Sequence, residues 1–365
     1  MGFRQLHPGE PAPWFVGRSA DNPQFHFDTV AGKRIVLCLF GSAVHPVSAQ
    51  TLECLRLSEG LFDDNDCWLM GVSVDPQDEQ QGRVVPHPPR FHQFWDFDGQ
   101  ISTLYGALQT EPTQQYAPRS VVLDERLRVV AAIPFSEVPE QHLVEVRQAL
   151  ESLPRLGPAK LADIPAPVLV VPRIFEPELC SALIDYYEQH GGQDSGFMRD
   201  VGGKTVLIQD YNHKRRRDRE IEDEQLRQAC MHRIHDRLVP EIHKAFQFKA
   251  TRIERYVVAC YESETGGHFR AHRDNTTKGT AHRRFAVSLN LNTGAYEGGE
   301  VWFPEFGRQR YAAPAGGAVV FSCSLLHEAT PVTSGKRYVF LPFLYDDAAA
   351  IIRQQNQAFV VKQSS

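Results

Sequence analysis

The sequence predicts two domains, an α/β domain followed by a β-rich domain built as a sandwich or barrel. The chain has 365 residues, which is long enough for two ordinary domains with separate cores. Strand and helix signals alternate through its first half, whereas short strands with Gly-rich turns fill most of its second half. A proline-rich stretch separates the two halves and interrupts regular structure.

Buried strands and helices alternate in the first half. Residues 34–40 (RIVLCLF) are a continuous apolar run, as expected of a strand that is buried on both faces. A helix is predicted over residues 48–61, and a second buried strand over residues 68–74. Two short strands and a closing helix follow, at residues 120–124, 128–133 and 137–153. This order predicts a parallel or mixed sheet between helices.

A linker is predicted where five prolines fall between residues 153 and 172. We place the first domain at residues 1–153, the linker at 154–166 and the second domain at 167–365. Two helices are predicted early in the second domain, at residues 174–191 and 223–246. The strands predicted after them cover residues 252–261, 268–274, 285–292, 300–306, 318–323 and 336–345.

Composition excludes several classes of function. Apolar residues make up 42% and charged residues 23% of the chain, as in folded globular proteins. A formal charge of −6 argues against binding nucleic acid by broad phosphate neutralisation. No apolar run reaches the roughly 20 residues that span a bilayer, and the first residues lack a secretory pattern. Seven dispersed cysteines without a C-x-x-C pair fit reduced thiols. We therefore expect a cytoplasmic protein that binds neither nucleic acid nor membrane.

Three residues of metal-ligand type stand in the predicted strands of the second domain. Because residues i and i+2 of a strand point to the same face, His272 and Asp274 are expected to reach one cation together while Arg273 points away. The apolar run over residues 318–321 leads into the interior just before His327. Two neutral imidazoles and one carboxylate leave several metal positions open, as a non-haem Fe(II) oxygenase requires.

An arginine follows ten residues after His327, on the apolar strand predicted at residues 336–345. Arg337 needs an anionic partner there, because an unpaired buried charge is very costly, and the strand contains no acidic residue. A bound dicarboxylate would supply two parallel hydrogen bonds. A competing ligand pair, His268 with His272 at helical spacing, is disfavoured by the strand-like alternation around it.

Three stretches resemble the 2-oxoglutarate- and Fe(II)-dependent dioxygenases, particularly the prolyl-4-hydroxylase-like branch. They are YESETGGHFRAHRDN (residues 261–275), VSLNLNTGAYEGGEVWFPE (287–305) and HEATPVTSGKRYVFLPF (327–343). The resemblance implies a double-stranded β-helix, or jelly roll, with flanking helices. It also implies that His272, Asp274 and His327 hold Fe(II).

The same resemblance implies how 2-oxoglutarate binds and reacts. Arg337 would hold its distal carboxylate, and Tyr261 matches a tyrosine that often lines the cosubstrate pocket. Asn290 stands where many prolyl hydroxylases carry a second tyrosine, so contacts with the cosubstrate are expected to differ there. Oxidative decarboxylation would yield succinate and carbon dioxide and oxidise a substrate C–H bond, usually by hydroxylation. Ascorbate is an optional supporting reductant. The substrate class stays open between a small molecule and a protein.

The first half resembles the thioredoxin-fold peroxiredoxins of the alkyl hydroperoxide reductase and thiol-specific antioxidant family. The matching segments are PGEPAPWF, RIVLCLFGSAVHPVSAQ, WLMGVSVDP, FWDFDGQISTLYGA and APRSVVLDERLRVVAAI. Ser42 fills the position of the family's threonine or serine, and Arg119 matches its activating arginine. His45 replaces the peroxidatic cysteine. Because peroxide reduction needs a nucleophilic thiolate, the domain is predicted to be inactive towards peroxide.

Several alternatives remain open at this level. Cys54 could act as a displaced nucleophile, which would make the protein a thiol peroxidase. Otherwise the first domain is a scaffold, a recognition module or a dimerisation surface, and peroxiredoxin-like folds often form homodimers. A third possibility is a non-catalytic sensor or interaction protein that keeps the metal. The basic run KRRRDR at residues 214–219 is either a solvated loop or a mobile loop that recruits an acidic substrate.

Overall fold

A computed structural model describes residues 3–361 except 59, 64–65, 89, 110–113, 156 and 158–164. Spatial clustering divides the chain into two compact units, Met1–Ala159 and Lys160–Ser365. Most of the predicted linker, residues 154–166, lies outside the described residues, so the two domain boundaries remain predictions. In the described part of the chain, no helix combines the length and the apolar character that a membrane crossing needs.

Strands and helices alternate along the first unit. The strands are β1 (Val16–Gly17), β2 (Phe25–His26), β3 (Arg34–Gly41), β4 (Cys67–Ser73), β5 (Phe91–Trp95), β6 (Leu108–Gln109), β7 (Gln115–Tyr116), β8 (Arg119–Leu123) and β9 (Val129–Pro134). The helices are α1 (Pro46–Arg56), α2 (Pro76–Gln80), α3 (Gln100–Leu104) and α4 (Pro139–Glu151), with a 3-10 turn at Phe27–Val30.

A mixed sheet with the strand order β5-β4-β3-β8-β9 forms the centre of this unit. β3 pairs in parallel with β4 and antiparallel with β8, so it is the central strand. One face of β3 packs through Val36 against Leu55 of α1 and Val146 of α4. The other face packs through Leu37 against Phe27. Cover on both faces explains why the strand is apolar throughout.

Two predictions in this unit differ from the structure. The helix predicted over residues 48–61 extends from Pro46 to Arg56 in the structure. It begins earlier than predicted because a proline suits the first turn of a helix. Strand β5 was not predicted, although all five of its residues are buried. His92 and Gln93 interrupt its apolar pattern, which hides the strand at the level of sequence.

The second unit contains most of the strands. They are β10 (Leu169–Val171), β11 (Gln193–Asp194), β12 (Phe197–Val201), β13 (Lys204–Ile208), β14 (Lys214–Arg215), β15 (Arg217–Glu220), β16 (Arg252–Glu254), β17 (Val257–Glu262), β18 (His268–His272), β19 (Phe285–Asn290), β20 (Tyr296–Gly298), β21 (Val301–Trp302), β22 (Arg310–Tyr311), β23 (Ala318–Ser322), β24 (His327–Ala329), β25 (Val332–Phe340) and β26 (Phe343–Tyr345). The helices are α5 (Pro177–His190), α6 (Glu224–Arg233), a π-helical turn (Ile234–Leu238), α7 (Val239–Phe246) and α8 (Asp347–Asn356), with 3-10 turns at Lys278–Thr280, Pro304–Phe306 and Gln357–Phe359.

Two sheets face each other in this unit. Among the described residues, the larger sheet follows the path β10-β23-β19-β25-β17-β15-β11, and the smaller has the order β14-β18-β24-β21-β22. Ala259 of β17 packs with Phe269 of β18 and Ala329 of β24, so an apolar layer joins the two sheets. Helices cover the opposite face of the larger sheet, where Val258 packs in one core with Ile234 of the π-helical turn. Packed sheets are one of the two arrangements that the strand pattern predicts.

The basic run at residues 214–219 is not a loop, and that prediction was wrong. Its first two residues form β14, which pairs with β18, and β15 begins at Arg217 and pairs with β17. Lys214 and Arg216 are buried, whereas Arg215 and Arg217 are exposed. This alternation is that of a strand with one covered face. Its wholly charged composition concealed the pattern.

Four predicted elements are interrupted in the structure. The strand predicted over residues 336–345 divides into β25 and β26, and the one predicted over residues 300–306 divides into β21 and a 3-10 turn. The helix predicted over residues 223–246 is helical along nearly all its length, but it divides into α6, the π-helical turn and α7. Pro240 lies in the first turn of α7, and because it has no N–H it cannot continue the regular ladder of hydrogen bonds. The strand predicted over residues 252–261 divides into β16 and β17 at Arg255, which has a φ of 71°.

Candidate metal centre

Three side chains of metal-ligand type meet at one end of the smaller sheet. His272 is the last residue of β18 and lies opposite His327, the first residue of β24, so both imidazoles point to the same face. Asp274 lies two residues beyond the end of β18, where its backbone N–H donates to Cys323. The prediction that His272 and Asp274 share one strand was therefore wrong in that detail.

The ligand atoms of these residues lie within 4.8 Å of one another. His272 Nε2 is 3.5 Å from Asp274 Oδ1, and His327 Nε2 is 3.3 Å from Asp274 Oδ2. In each imidazole, Nδ1 lies near a backbone carbonyl, of Arg270 at 2.8 Å and of Leu325 at 3.0 Å. Because a carbonyl only accepts, each Nδ1 carries the proton, and each Nε2 lone pair is directed to the shared centre.

The electrostatics of the cluster suit metal binding. Burial raises the pKa of Asp274, but His327 and His272 outweigh burial and hold that pKa below its usual range. Burial, together with the neighbouring His272, lowers the pKa of His327 to about 4. At neutral pH the carboxylate is therefore charged and His327 is neutral, the protonation states that ligation requires. Two imidazole nitrogens and one carboxylate fit a non-haem Fe(II) centre.

A buried ion pair supports this end of the cavity, and the sequence analysis missed it. Glu254 of β16 accepts two hydrogen bonds from Arg283, at 2.8 and 3.2 Å, and lies 2.6 Å from His282 Nε2. The Arg283 guanidinium packs 3.9 Å from the ring of Phe343. Its positive charge helps to lower the pKa of Asp274. The sequence contains no sign of this contact, because Glu254 lies 28 residues before His282 and only the tertiary structure brings the two together.

Removing this carboxylate should destabilise the fold. Glu254→Gln leaves the Arg283 charge buried and unpaired, so we expect the free energy of unfolding to fall by about 3–5 kcal/mol. Burial raises the pKa of Glu254, but Arg283 and His282 lower it well below the ordinary value of 4.5. The contribution of this carboxylate is therefore complete above pH 4.5 and lost on further acidification. Urea denaturation at several pH values measures both effects.

The matched control lies on the same strand. Arg252 of β16 makes an exposed ion pair with Asp347 at 2.7 Å. Because exposed pairs contribute little, Arg252→Gln should change stability by less than about 1 kcal/mol. Equal losses in the two variants would contradict the role assigned to Glu254.

Arg337 lies on β25 opposite Tyr261 of β17 and is 2% exposed. Its Nη2 donates to Ser288 Oγ at 2.7 Å and to Asn290 Oδ1 at 3.0 Å. Its Nε is buried and has no hydrogen-bond partner among the described residues, and no described carboxylate lies within ion-pair distance of it. A buried guanidinium with neutral partners and an unsatisfied donor fits a bound carboxylate.

Tyr261 and Asn290 lie on different sides of Arg337. The ring of Tyr261 borders the cavity, with its centroid 5.3 Å from the Arg337 guanidinium carbon. Asn290 is not among the residues that line the cavity; it accepts from Arg337 and donates to the carbonyl of Ala313 at 3.1 Å. Asn290 is therefore placed to orient Arg337 rather than to contact a ligand directly.

One cavity of about 790 Å³ joins these groups within the second unit. Its walls include His272, Asp274 and His327 together with Arg337, Tyr261 and Ser288. Further charged residues also line it, both the cations Arg199, Lys214, Arg216, Arg255, Arg273 and Arg283 and the carboxylates Asp194, Asp200, Asp218, Glu220 and Glu254. A volume of this size is typical of small-molecule sites, which range from about 300 to 1,000 Å³.

The residues that correspond to a peroxiredoxin site lie on different elements, Ser42 and His45 just before α1 and Arg119 on β8. Ser42 Oγ donates to Asp75 Oδ2 at 2.7 Å. His45 is exposed and precedes the first residue of the helix. Arg119 lies on β8, where its Nε donates to the carbonyl of Ala117 at 3.4 Å, and burial lowers its pKa. None of these contacts involves a cysteine side chain.

The seven cysteines are free. Burial raises the pKa of Cys54, the half-buried thiol on α1, and the charge of Glu140 raises it further. Burial also raises the pKa of Cys38 on β3 to about 12. Reactive cysteines need a lowered pKa and access to solvent. These environments disfavour peroxide chemistry at either thiol.

Comparison with known proteins assigns a family to each half. The AhpC/TSA family model matches residues 8–132, and the 2OG-Fe(II) oxygenase superfamily model matches residues 256–345. A PKHD-type hydroxylase of Thioalkalivibrio sulfidiphilus is 40% identical over 78 residues, which are 20% of this chain and 35% of the relative. One of Nitrosomonas eutropha is 30% identical over 123 residues, which are 31% of this chain and 52% of the relative. The chain thus spans between a third and about half the length of these curated relatives.

Solved structures similar to the chain include examples that match each half. A viral collagen prolyl hydroxylase from Paramecium bursaria Chlorella virus-1 has 16% identity and a TM-score of 0.37, covering 48% of this chain and 94% of its own. Peroxidoxin BcpB from Mycobacterium tuberculosis has 14% identity and a TM-score of 0.36, covering 41% of this chain and 100% of its own. The family models confirm both resemblances seen in the sequence. The chain therefore carries an AhpC/TSA family domain at its N-terminus and a 2OG-Fe(II) oxygenase superfamily domain at its C-terminus.

Proposed function

We propose that the protein is an Fe(II)- and 2-oxoglutarate-dependent dioxygenase that hydroxylates a C–H bond of its substrate. The observation that carries this proposal is the arrangement of one cavity. His272, Asp274 and His327 direct their ligand atoms to a common centre, and Arg337, without a described carboxylate partner, lines the same space. A metal and an anionic cosubstrate are what this combination of groups accommodates.

Each group has a distinct task in this proposal. His272, Asp274 and His327 would hold Fe(II), which with 2-oxoglutarate and dioxygen supplies the oxidising chemistry and releases succinate and carbon dioxide. Arg337 would orient the distal carboxylate of the cosubstrate through its paired N–H groups. Ser288 and Asn290 hold the guanidinium in place. Phe269 and Tyr261 give the cavity an aromatic wall that limits access of water.

We also propose that the two facing sheets are a double-stranded β-helix and that the first unit is a thioredoxin-like scaffold. The antiparallel pairings of β19 with β23 and of β18 with β24 support the former. The mixed sheet centred on β3 supports the latter. His45 at the position of the reactive cysteine and the raised pKa of Cys54 support a scaffold that does not reduce peroxide.

The direct test is the release of succinate from 2-oxoglutarate. The purified chain, supplied with Fe(II), 2-oxoglutarate and air, should form succinate, and the reaction should stop when a chelator removes iron. Incubation with cell extract followed by untargeted mass spectrometry should reveal a metabolite or peptide that gains one oxygen atom. The absence of succinate release, both alone and with extract, would overturn the proposal.

The first domain gives a separate expectation. Peroxide incubated with the protein and a thiol donor should disappear no faster than in a protein-free control, because the thiols with the best access or position have raised pKa values. Cys54→Ser should therefore leave the rate unchanged. Saturable peroxide consumption that Cys54→Ser removes would instead establish a displaced nucleophile.

A further inference from the structure

A strand of basic residues forms part of the cavity wall. Side chains along this segment alternate, so Lys214 and Arg216 are buried and line the cavity while Arg215 and Arg217 are exposed. Burying charges without partners is costly. The inward-facing cations therefore need a source of negative charge.

A single carboxylate, Asp218, accepts hydrogen bonds from two of these cations, Arg216 and Arg255. Asp218 accepts from Arg216 Nε at 2.6 Å and Nη2 at 2.7 Å, and from Arg255 Nη2 at 2.9 Å. Within the described residues, no other carboxylate lies within 4.0 Å of the cationic groups of Lys214, Arg216 or Arg255. One carboxylate thus faces three basic side chains, which leaves a surplus of basic groups.

Lys214 is satisfied only by neutral groups. Its Nζ donates to Ser195 Oγ at 2.7 Å and to the carbonyl of Gly196 at 2.6 Å, and it lies 4.7 Å from the centroid of the Phe269 ring. Burial lowers the pKa of Lys214 well below its ordinary value, and the nearby Arg216 lowers it further. An anion beside Lys214 would offset both effects and favour the charged form of the lysine.

Arg255 is held in a conformation that L-residues rarely adopt. Its φ of 71° lies in the left-handed region, between β16 and β17. Strain of this kind is often kept where function requires a particular side-chain direction. The side chain lines the cavity and retains 29% of its surface accessible. Among described groups, only Asp218 accepts a hydrogen bond from its guanidinium, so Arg255 has donors left for a ligand.

The cluster adjoins the metal centre but does not coincide with the Arg337 site. Lys214 lies over Phe269, whose ring stacks on His272 with centroids 3.5 Å apart. Arg216 Nη1 donates to Tyr261 Oη at 3.4 Å, and the centroid of the Tyr261 ring lies 5.8 Å from the guanidinium carbon of Arg216 and 5.3 Å from that of Arg337. The cavity thus has two cationic positions that share Tyr261 as a neighbour.

We propose that Lys214, Arg216 and Arg255 form a second anion subsite, which binds a carboxylate or phosphate group of a small-molecule substrate. The proposal rests on the function proposed above, because Arg337 is assigned to the cosubstrate and the second position is left to the molecule that is oxidised. The charge surplus selects an acidic substrate, and the short path from Lys214 to His272 sets its acidic group beside the metal. The volume of about 790 Å³ is large enough for two small molecules.

Binding of matched probes tests the subsite without turnover. The full chain is loaded with Zn(II), which has no redox chemistry, and with 2-oxoglutarate. Ligand-observed NMR then compares N-acetyl amino acids with their amides, and glycerol 3-phosphate with glycerol. In at least one pair the charged member should bind about 10- to 100-fold more tightly, as expected for hydrogen bonds to charged groups. The two pairs distinguish carboxylate from phosphate. Equal binding within both pairs, or no binding of any charged probe at millimolar concentration, overturns the proposal.

Variants locate the effect. Arg255→Asn removes the charge but keeps a residue that tolerates positive φ, and Lys214→Met removes a charge that has no described carboxylate partner. Each should weaken the charged probe about tenfold and leave 2-oxoglutarate binding unchanged. Arg217→Gln, on the exposed face of the same segment, is the control and should change neither. If Lys214→Met does not fold, Arg255→Asn decides alone.

The probe-binding experiment and the succinate-release experiment can fail independently of each other. A preference for charged probes that Arg255→Asn abolishes supports the subsite even if succinate release fails. Unchanged probe binding in Arg255→Asn overturns the subsite even if succinate is formed. Loss of 2-oxoglutarate binding in Arg255→Asn also overturns it, because the cluster would then belong to the cosubstrate site.

Discussion

Replacing His272 or Asp274 with alanine should reduce succinate release to the level of metal-free protein. Each side chain supplies one of three ligand atoms that lie within 4.8 Å of one another, and two remaining ligands hold a divalent ion poorly. Both variants should fold, because the charge or ring removed lies at a cavity wall. Metal content by mass spectrometry, succinate release and circular dichroism measure binding, activity and folding separately.

His268 is the matched control for the metal ligands. It lies on the same strand as His272, but its Nδ1 and Nε2 lie 2.7 Å and 3.2 Å from the carbonyls of Gly266 and Asn212. His268→Gln should therefore keep its metal and its turnover. Full succinate release in both alanine variants would rule out the assigned centre. A loss of metal confined to His268→Gln would assign the ligands to a different pair.

Replacing Arg337 with methionine should raise the KM for 2-oxoglutarate by about 10- to 100-fold, as expected for the loss of a charge-assisted hydrogen-bonded pair. Metal content should not change. Arg337→Lys should recover only part of the affinity, because an ammonium keeps the charge but lacks the planar fork. The variants should fold, since Ser288 and Asn290 are neutral partners and no carboxylate is left unpaired.

The neighbouring residue Lys336 provides the control for Arg337. It lies on β25 with its side chain 48% exposed, and it pairs with Glu188 and Glu262 at 3.6 Å and 3.5 Å. Lys336→Gln should leave the KM for 2-oxoglutarate unchanged. If Arg337→Met gives the same KM as the native protein, the cosubstrate is held elsewhere in the cavity.

The sequence indicated the residues of the metal centre better than their local geometry. His272, Asp274 and His327 were named from residue type and spacing, and the structure places all three around one point. The expected geometry, with His272 and Asp274 on one strand, is wrong because β18 ends at His272. Asp274 reaches the centre through a turn that the hydrogen bond to Cys323 stabilises. The alternation of side chains along a predicted strand could not reveal that turn.

The basic segment illustrates the opposite case. Composition alone favoured a solvated loop at residues 214–219, since charged residues are rarely buried. Pairing with β17 and β18 instead turns Lys214 and Arg216 inward. Their charge balance depends on Asp218 in the same segment and on Arg255, which is distant along the chain. The sequence alone therefore could not predict the surplus of basic groups at this part of the cavity wall.

The sequence by itself determined the two-part organisation, the buried strand β3, and the residue types of the candidate centre. Those features depend on periodicity and residue chemistry, which neighbours along the chain largely specify. Only the tertiary structure decided that Arg337 and Tyr261 are opposite, that Asn290 lies behind the arginine, and that a second cationic position faces the cavity. Such features arise from pairing between strands far apart in the chain, where hydrogen-bond register and burial set the partners of each charge.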